Sequence, residues 1–438
     1  MKAKAQDLVR LARAALKGCP AKDVEVWVTA RAQGHLRFAA NTVTTSGATE
    51  RITVSVTAAY GDRAATSSTE DVTPAGLANV ARQAADFAKL VPPSPERMPP
   101  VKPQVYARTY GWDAATARGN PESRAAKAHA VLETARAADL VAAGYAEDAE
   151  TMSVFMTSAG AMGVSQATSS ELTTTMRTPD GKQSGWAGRS SHRAADVDAG
   201  ALAARAAEKA SKWTNPIELP PGRYTAVLEP AAVAPLFGFF LGALDRRAAD
   251  EGRSPFSREG GTRIGEEMFA PQLSLLSDPA DRAIPGSPFG EDGLATRKIV
   301  AVDRGKLASL VTSRFWAKKQ KLAPTPHARN WKLVTSSPSA SLDELIAGTQ
   351  RGVLVTRIWY VRMLAPQTLT VTGLTRDATF LIEDGKVTSP IKNFRINQSV
   401  LELLRDVEAA TAPELVDGLG IPALRVRNLG FSSLSDAV

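Results

Sequence analysis

Between Pro230 and Leu244 no side chain carries a charge or a hydrogen-bonding group. Val233, Leu236, Phe237, Phe239, Phe240, Leu241 and Leu244 would surround any helix built from this run. A helix that is apolar on every side has to be enclosed. The run is shorter than the ~20 residues of a membrane span, and Pro235 and Gly238 interrupt it. It is therefore expected to be a buried helix with a domain wrapped around it.

The chain of 438 residues is long enough for more than one such core. Asn215-Pro216-Ile217-Glu218-Leu219-Pro220-Pro221-Gly222 is its strongest break in regular structure, and it divides the chain into domains 1–215 and 216–438. In the first domain Met1–Lys17 has a helical stripe of Leu8, Leu11, Ala12, Ala15 and Leu16. Val24–Val28 and Ile52–Thr57 alternate at period two, as half-buried antiparallel strands do. Thr73 and Pro74 form an N-cap and first position for a helix that Pro92 and Pro93 forbid from continuing. Pro92–Pro103 reads as a connector. Further helices are expected from Pro121 to about Leu140 and over Val197–Trp213, with strands at Leu140–Ala149, Ser153–Thr157 and Val164–Thr178 and a hairpin turn at Asp180-Gly181.

The second domain opens with a strand at Tyr224–Leu228. Asp250–Pro288, rich in Gly, Pro and charge, is expected to loop out. Lys298–Val302, Val353–Ile358, Gln367–Val371, Thr379–Ile382 and Ala423–Arg427 read as strands, and Leu401–Val407 as a helix. The expected fold is α+β in two domains. The first is α/β with an antiparallel sheet and flanking helices; the second is strand-rich α+β around the buried helix.

Basic residues number 53 against 45 acidic, a net charge of +8, but no run approaches the ~5–6 like charges of a nucleic-acid tail. Nucleic acid is not an expected partner. Neither is a membrane, and the N-terminus lacks the apolar core of a secretory signal, so a cytoplasmic location is expected. The Ala and Arg content points to a bacterial source. A single cysteine, Cys19, excludes an internal disulfide, and no two of His35, His129, His192 and His327 have zinc-ligand spacing. Phosphate-loop and nucleophile-elbow motifs are absent. His35, near a hairpin, and His129, on a helix, read as surface residues. His192 sits beside Arg193 in a position that suits structure or an acidic ligand. His327 shares a loop with Arg329 and is the better candidate to face a substrate. Glu291-Asp292-Gly293 reads as a tight turn.

Several segments resemble the TldD/PmbA (TldE) family. Ser287–Thr296 is similar to its "F-D-x-E-G" turn, and Gly305-Lys306-Leu307 through Arg314 to Lys318 to the strand and helix that follow. Phe380–Val387 with Pro390-Ile391 is similar to its "LIENGK…PV" hairpin, and Pro422–Val426 to its closing strand. Val24–Thr57, Gly61-Asp62 and Thr73–Leu90 fit its first domain.

The resemblance implies metallopeptidase machinery, in which a TldD-type subunit carries H-E-x-x-x-H on a helix and a later cysteine as third zinc ligand. The corresponding positions here are Gly238, Phe239 and Ala243, and Val407–Pro422 contains no cysteine. Glycine and alanine suit close helix packing there, and Phe239 supplies buried area. None of the three binds a metal or moves a proton. The resemblance is therefore to the PmbA/TldE type. It implies no catalytic residue, metal ligand or cofactor in this chain, zinc in a TldD-like H-E-x-x-x-H partner, a shared peptide chamber, and a large exposed surface for heterodimer or homodimer formation. Where relatives carry a Gly-rich run before Thr372-Gly373, this chain has Arg357-Ile358-Trp359-Tyr360-Val361-Arg362-Met363-Leu364. Trp359, Tyr360 and Arg362 are expected to narrow the cavity or change its substrate. The competing readings are a stand-alone enzyme and a peptide- or anion-binding protein, using a non-zinc site around His327 and Arg329.

Overall fold

The computed structural model describes residues 4–336 and 340–435. Its N-terminal sheet has six antiparallel strands: β1 (Asp23–Ala39), β2 (Thr42–Tyr60), β3 (Arg63–Thr69), β4 (Val141–Thr157), β5 (Met162–Arg177) and β6 (Ser184–Ser191), in the order β3-β2-β1-β4-β5-β6. One face is covered along its length by two pairs of helices. The first pair, α1 (Ala5–Gly18) and α2 (Pro74–Leu90), packs on Val24, Val26, Val28, Val54 and Val56. The second pair, α3 (Pro121–Ala137) and α4 (Ala199–Lys212), packs on Leu36, Phe38, Leu172 and Met176. These residues alternate along their strands, as period-two pleating requires. The α2 helix starts where its sequence dictates: Thr73 Oγ1 accepts the amide of Gly76 and Pro74 opens the first turn. Residues 1–3 of the expected first helix lie outside the described residues.

The other face carries the alternate residues. Trp27 and Phe155 are covered by Phe289 from the second domain, with ring centroids 5.6 and 6.2 Å from it. Further along, His35, Glu147, Glu171 and Ser190 stand opposite one another across β1, β4, β5 and β6.

The second domain has two larger sheets. Six strands run in the order Lys306–Leu307, Ile299–Asp303, Leu273–Ser277, Lys332–Thr335, Leu419–Ile421, Glu414–Val416. The larger sheet has β7 (Gly222–Leu228) near its middle and Ile358–Ala365 at one edge. Helix α5 (Pro230–Ala243) joins strands of both sheets in one core through Leu236, Phe237 and Phe240. Among the described residues no helix is long and apolar enough to cross a membrane.

Five expectations need correction. The Asp250–Pro288 segment does not simply loop out, because Leu273–Ser277 is a central strand of the six-stranded sheet. Leu140–Ala149 and Ser153–Thr157 are one continuous strand, β4, and His35 lies within strand β1 instead of near its turn. Helix α5 is not enclosed all round, and Gly238 is exposed instead of packed, with open space where a Cβ would stand.

Candidate functional site

Pro235, Gly238 and Gly242 recur at three- and four-residue spacing, so they share one face of α5. Gly238 and Gly242 are exposed and Pro235 half-buried, while Leu236, Phe237 and Phe240 on the remaining circumference are buried. The helix therefore presents a strip nearly bare of side chains, with Phe239, Leu241 and Ala243 half-buried beside it.

Its N-terminal end is anchored by charge. Glu229, the residue before the helix, is buried and accepts from Arg205 and Lys209 of α4, each at 2.7 Å. Burial pushes the Lys209 ammonium below the usual lysine range, and Glu229 opposes that shift. Two backbone oxygens, Thr379 O and Ile391 O, accept from Trp213 Nε1 at 3.2 and 2.9 Å and complete the clasp between the domains.

Cavities flank the strip. One, of about 210 Å³, lies between β5–β6, the start of α5, Arg357 and the Glu414–Ile421 hairpin. Another, of about 360 Å³, lies beside Leu241 and Gly242 and reaches His327 and Arg329. A third, of about 220 Å³, continues past those two residues to the turn at Gly290–Asp292.

His327 and Arg329 are thus brought together beside α5. His327 Nδ1 accepts the Arg329 amide at 3.2 Å, which places the proton of the neutral ring on Nε2. The ring is 5.1 Å from Trp331. Burial, reinforced by the Arg329 charge, holds the His327 pKa below the ordinary histidine value. Arg329 is in the left-handed region, with φ 65°, and pairs with Glu291. The Glu291-Asp292-Gly293 turn forms, with Gly293 at φ 73° and Asp292 Oδ1 accepting the Leu294 amide.

Trp359, Tyr360 and Arg362 are elsewhere, exposed on the edge strand Ile358–Ala365. The Arg376 guanidinium lies 4.0 Å from the Trp359 ring and that of Arg362 lies 4.4 Å from Tyr360. These three residues do not line the cavities at His327. His192 is half-buried, and burial lowers its pKa. The Cys19 thiol faces the carbonyl of Ala81 at 3.6 Å in the α1–α2 layer, and burial raises its pKa.

Sequence reasoning missed Glu229, Lys209, Glu171 and Asp417. Each reads locally as a solvated charge, and no local pattern marks the partner or the cavity.

The donor chemistry at α5 does not fit zinc. Gly238, Phe239 and Ala243 offer no thiolate, imidazole or carboxylate. Among the described residues no three His, Cys, Asp or Glu side chains are grouped to hold a metal ion.

Two family models match the chain: the PmbA/TldA metallopeptidase C-terminal domain over residues 221–433 and PmbA/TldA metallopeptidase domain 1 over residues 24–88. A Methanothermobacter thermautotrophicus protein named "Metalloprotease" is 27% identical over 259 residues, 52% of this chain and 54% of that protein, so the match spans about half the length of that relative. The solved structure of TldE from Thermococcus kodakarensis superposes with a TM-score of 0.84 at 17% identity, covering 97% of this chain and 99% of the other. A Bacteroides thetaiotaomicron structure labelled as a modulator of DNA gyrase gives 0.84 at 20% identity, covering 98% of this chain and 100% of the other. These structural likenesses establish the mixed α+β fold. Together with the two models, which take in more than half of the residues, they make this chain a member of the PmbA/TldD metallopeptidase family.

Proposed function

We propose that this chain is the non-catalytic subunit of a two-component zinc peptidase that processes or degrades peptides in the cytoplasm. Its partner is a TldD-like subunit bearing H-E-x-x-x-H, and the zinc belongs to that partner. This chain contributes the bare strip of α5 and its flanking cavities to a shared peptide chamber. The observation that carries the reading is the identity of Gly238, Phe239 and Ala243, on the helix where TldD-type relatives hold their metal. A bare backbone strip accommodates an extended peptide chain that side chains would obstruct. The same strip leaves apolar helix surface for a partner to cover.

Co-expression with an H-E-x-x-x-H member of the family tests this. The two chains are expected to co-purify. Peptide cleavage is expected from the pair, to be abolished by a chelator, and to be absent from this chain alone. Cleavage by the isolated chain that survives chelation would instead favour a stand-alone enzyme using His327 and Arg329.

A further inference from the structure

The cavity at the start of α5 has an unbalanced charge. Its two arginines already have partners: Arg189 pairs with Glu414 at 3.1 Å, and Arg357 pairs with Asp377 at 2.7 Å while its guanidinium lies 4.7 Å from the Trp186 ring. Its two carboxylates do not. Among the described residues, neither Glu171 nor Asp417 has a hydrogen-bond or ion-pair partner. Glu171 also stands directly opposite Glu147 across β4 and β5. Glu147 adds like charge there, and the cation nearest it, Arg31, is engaged with Glu147 itself. A half-buried carboxylate beside two others and without a cation is costly, and burial with Asp417 and Glu147 pushes the Glu171 pKa up.

Arg189, in the wall of the same cavity, also has an unsatisfied group. The Nε–H of Arg189 is buried and has no acceptor. The lining thus lacks one cation beside Glu171 and Asp417. Trp186, Ile358 and Val416 supply apolar wall between them.

The geometry points to a primary-ammonium subsite: the cavity between β5–β6 and α5 seats a peptide's free amino terminus or lysine side chain, the ammonium against Glu171 and Asp417 and a neighbouring main-chain carbonyl on Arg189. The volume of about 210 Å³ suits one residue and not a folded segment. The ammonium is held by charge-assisted hydrogen bonds in a partly desolvated site, where they are strongest. The subsite deepens the reading of this chain as a peptide-handling subunit by naming which group of the peptide it holds. It opens beside Pro235, at the head of the bare strip of α5.

The test uses the full chain alone, with neither partner nor cleavage, so it can fail while the two-component reading stands. Triglycinamide, acetyl-triglycinamide and Nα-acetyl-lysine amide are titrated and followed by ligand-observed NMR. Saturable binding of triglycinamide, at least tenfold tighter than its acetylated form, supports the amino terminus as occupant. Binding of Nα-acetyl-lysine amide in its place supports the lysine side chain. Glu171→Gln and Asp417→Asn are each expected to weaken binding about tenfold, with thermal unfolding showing that both variants remain folded. Asn at position 417 tolerates the left-handed backbone there, φ 50°. Equal binding of the acetylated peptide, undiminished binding by folded Glu171→Gln, or no binding of either amine overturns the proposal.

Discussion

The two ends of one short stretch of structure treat buried charge in opposite ways. Just before α5, Glu229 is sealed in and shared by two cations from α4. Against the first turns of the same helix, half-buried Glu171 and exposed Asp417 face a cavity whose two cations, Arg189 and Arg357, are already paired with other carboxylates. A buried charge with its partners in place holds domains in register. A half-buried charge kept without a partner destabilises the free protein, and such groups collect at functional sites. The contrast separates the structural half of this region from the half that meets a ligand.

The largest effect should come from removing the structural half. Glu229→Ala leaves the buried Lys209 ammonium without its carboxylate and is expected to cost about 3–5 kcal/mol, measured by denaturant unfolding. Adding Lys209→Met should recover part of the loss. An equal loss in single and double variants would mean that charge is not what joins α4 to α5.

Glycines sharpen the comparison. Gly185 on β6 lies against α4, where a Cβ would collide with the backbone of Ala206 and Ala210. Gly185→Ala is expected to destabilise by roughly 1–3 kcal/mol, the usual range for overpacking. Gly238→Ala should do the reverse and stabilise by up to ~1 kcal/mol, because a Cβ there meets nothing and alanine favours the helix. If Gly238→Trp also stays folded but stops partner-dependent cleavage, the strip is in use. Undisturbed cleavage would remove the strip from the peptide path.

Much of this architecture was legible in the sequence. Thr73-Pro74 and Pro121 set the starts of α2 and α3, and period-two runs marked β1 and β2 near Val24–Val28 and Ile52–Thr57. Lengths were less legible. In β2, the stretch Thr42–Arg51 is largely exposed on both faces, so no apolar alternation announces it. Leu273–Ser277 was hidden by the Gly and Pro around it. The open strip of α5 could not be read at all, because an all-apolar helix gives no sign of which face is bare. Glu171 and Asp417 are far apart in the chain, and the cavity that joins them exists only after both domains pack.

Acid should act on the region at His327. The folded protein holds this histidine below its free value of 6.5, so below that pH the unfolded chain binds the proton more readily. Stability should therefore fall as pH drops from about 6.5 through the folded value. The proton would occupy Nδ1, displace the Arg329 amide and place a second cation beside Arg329. His327→Gln is expected to flatten the slope of Tm between pH 7 and pH 5. An unchanged slope would show that the ring titrates without reference to the fold.

The smallest effect is also the most discriminating. Glu171 has the opposite sign, since its folded pKa is raised above 4.5. The folded protein binds that proton more tightly, so stability declines as pH rises through the folded value, and at neutral pH the ionised group carries its full cost. Glu171→Gln removes that cost and should raise Tm at pH 7, by no more than the ~2–4 °C that 1 kcal/mol produces in a large domain. The same substitution is expected to weaken ammonium binding. A gain in stability coupled to a loss of ligand is the signature of a group kept for function. A Glu171→Gln protein that melts lower at pH 7 would place Glu171 with Glu229, among the charges that hold the fold, and would erase the contrast between the two ends.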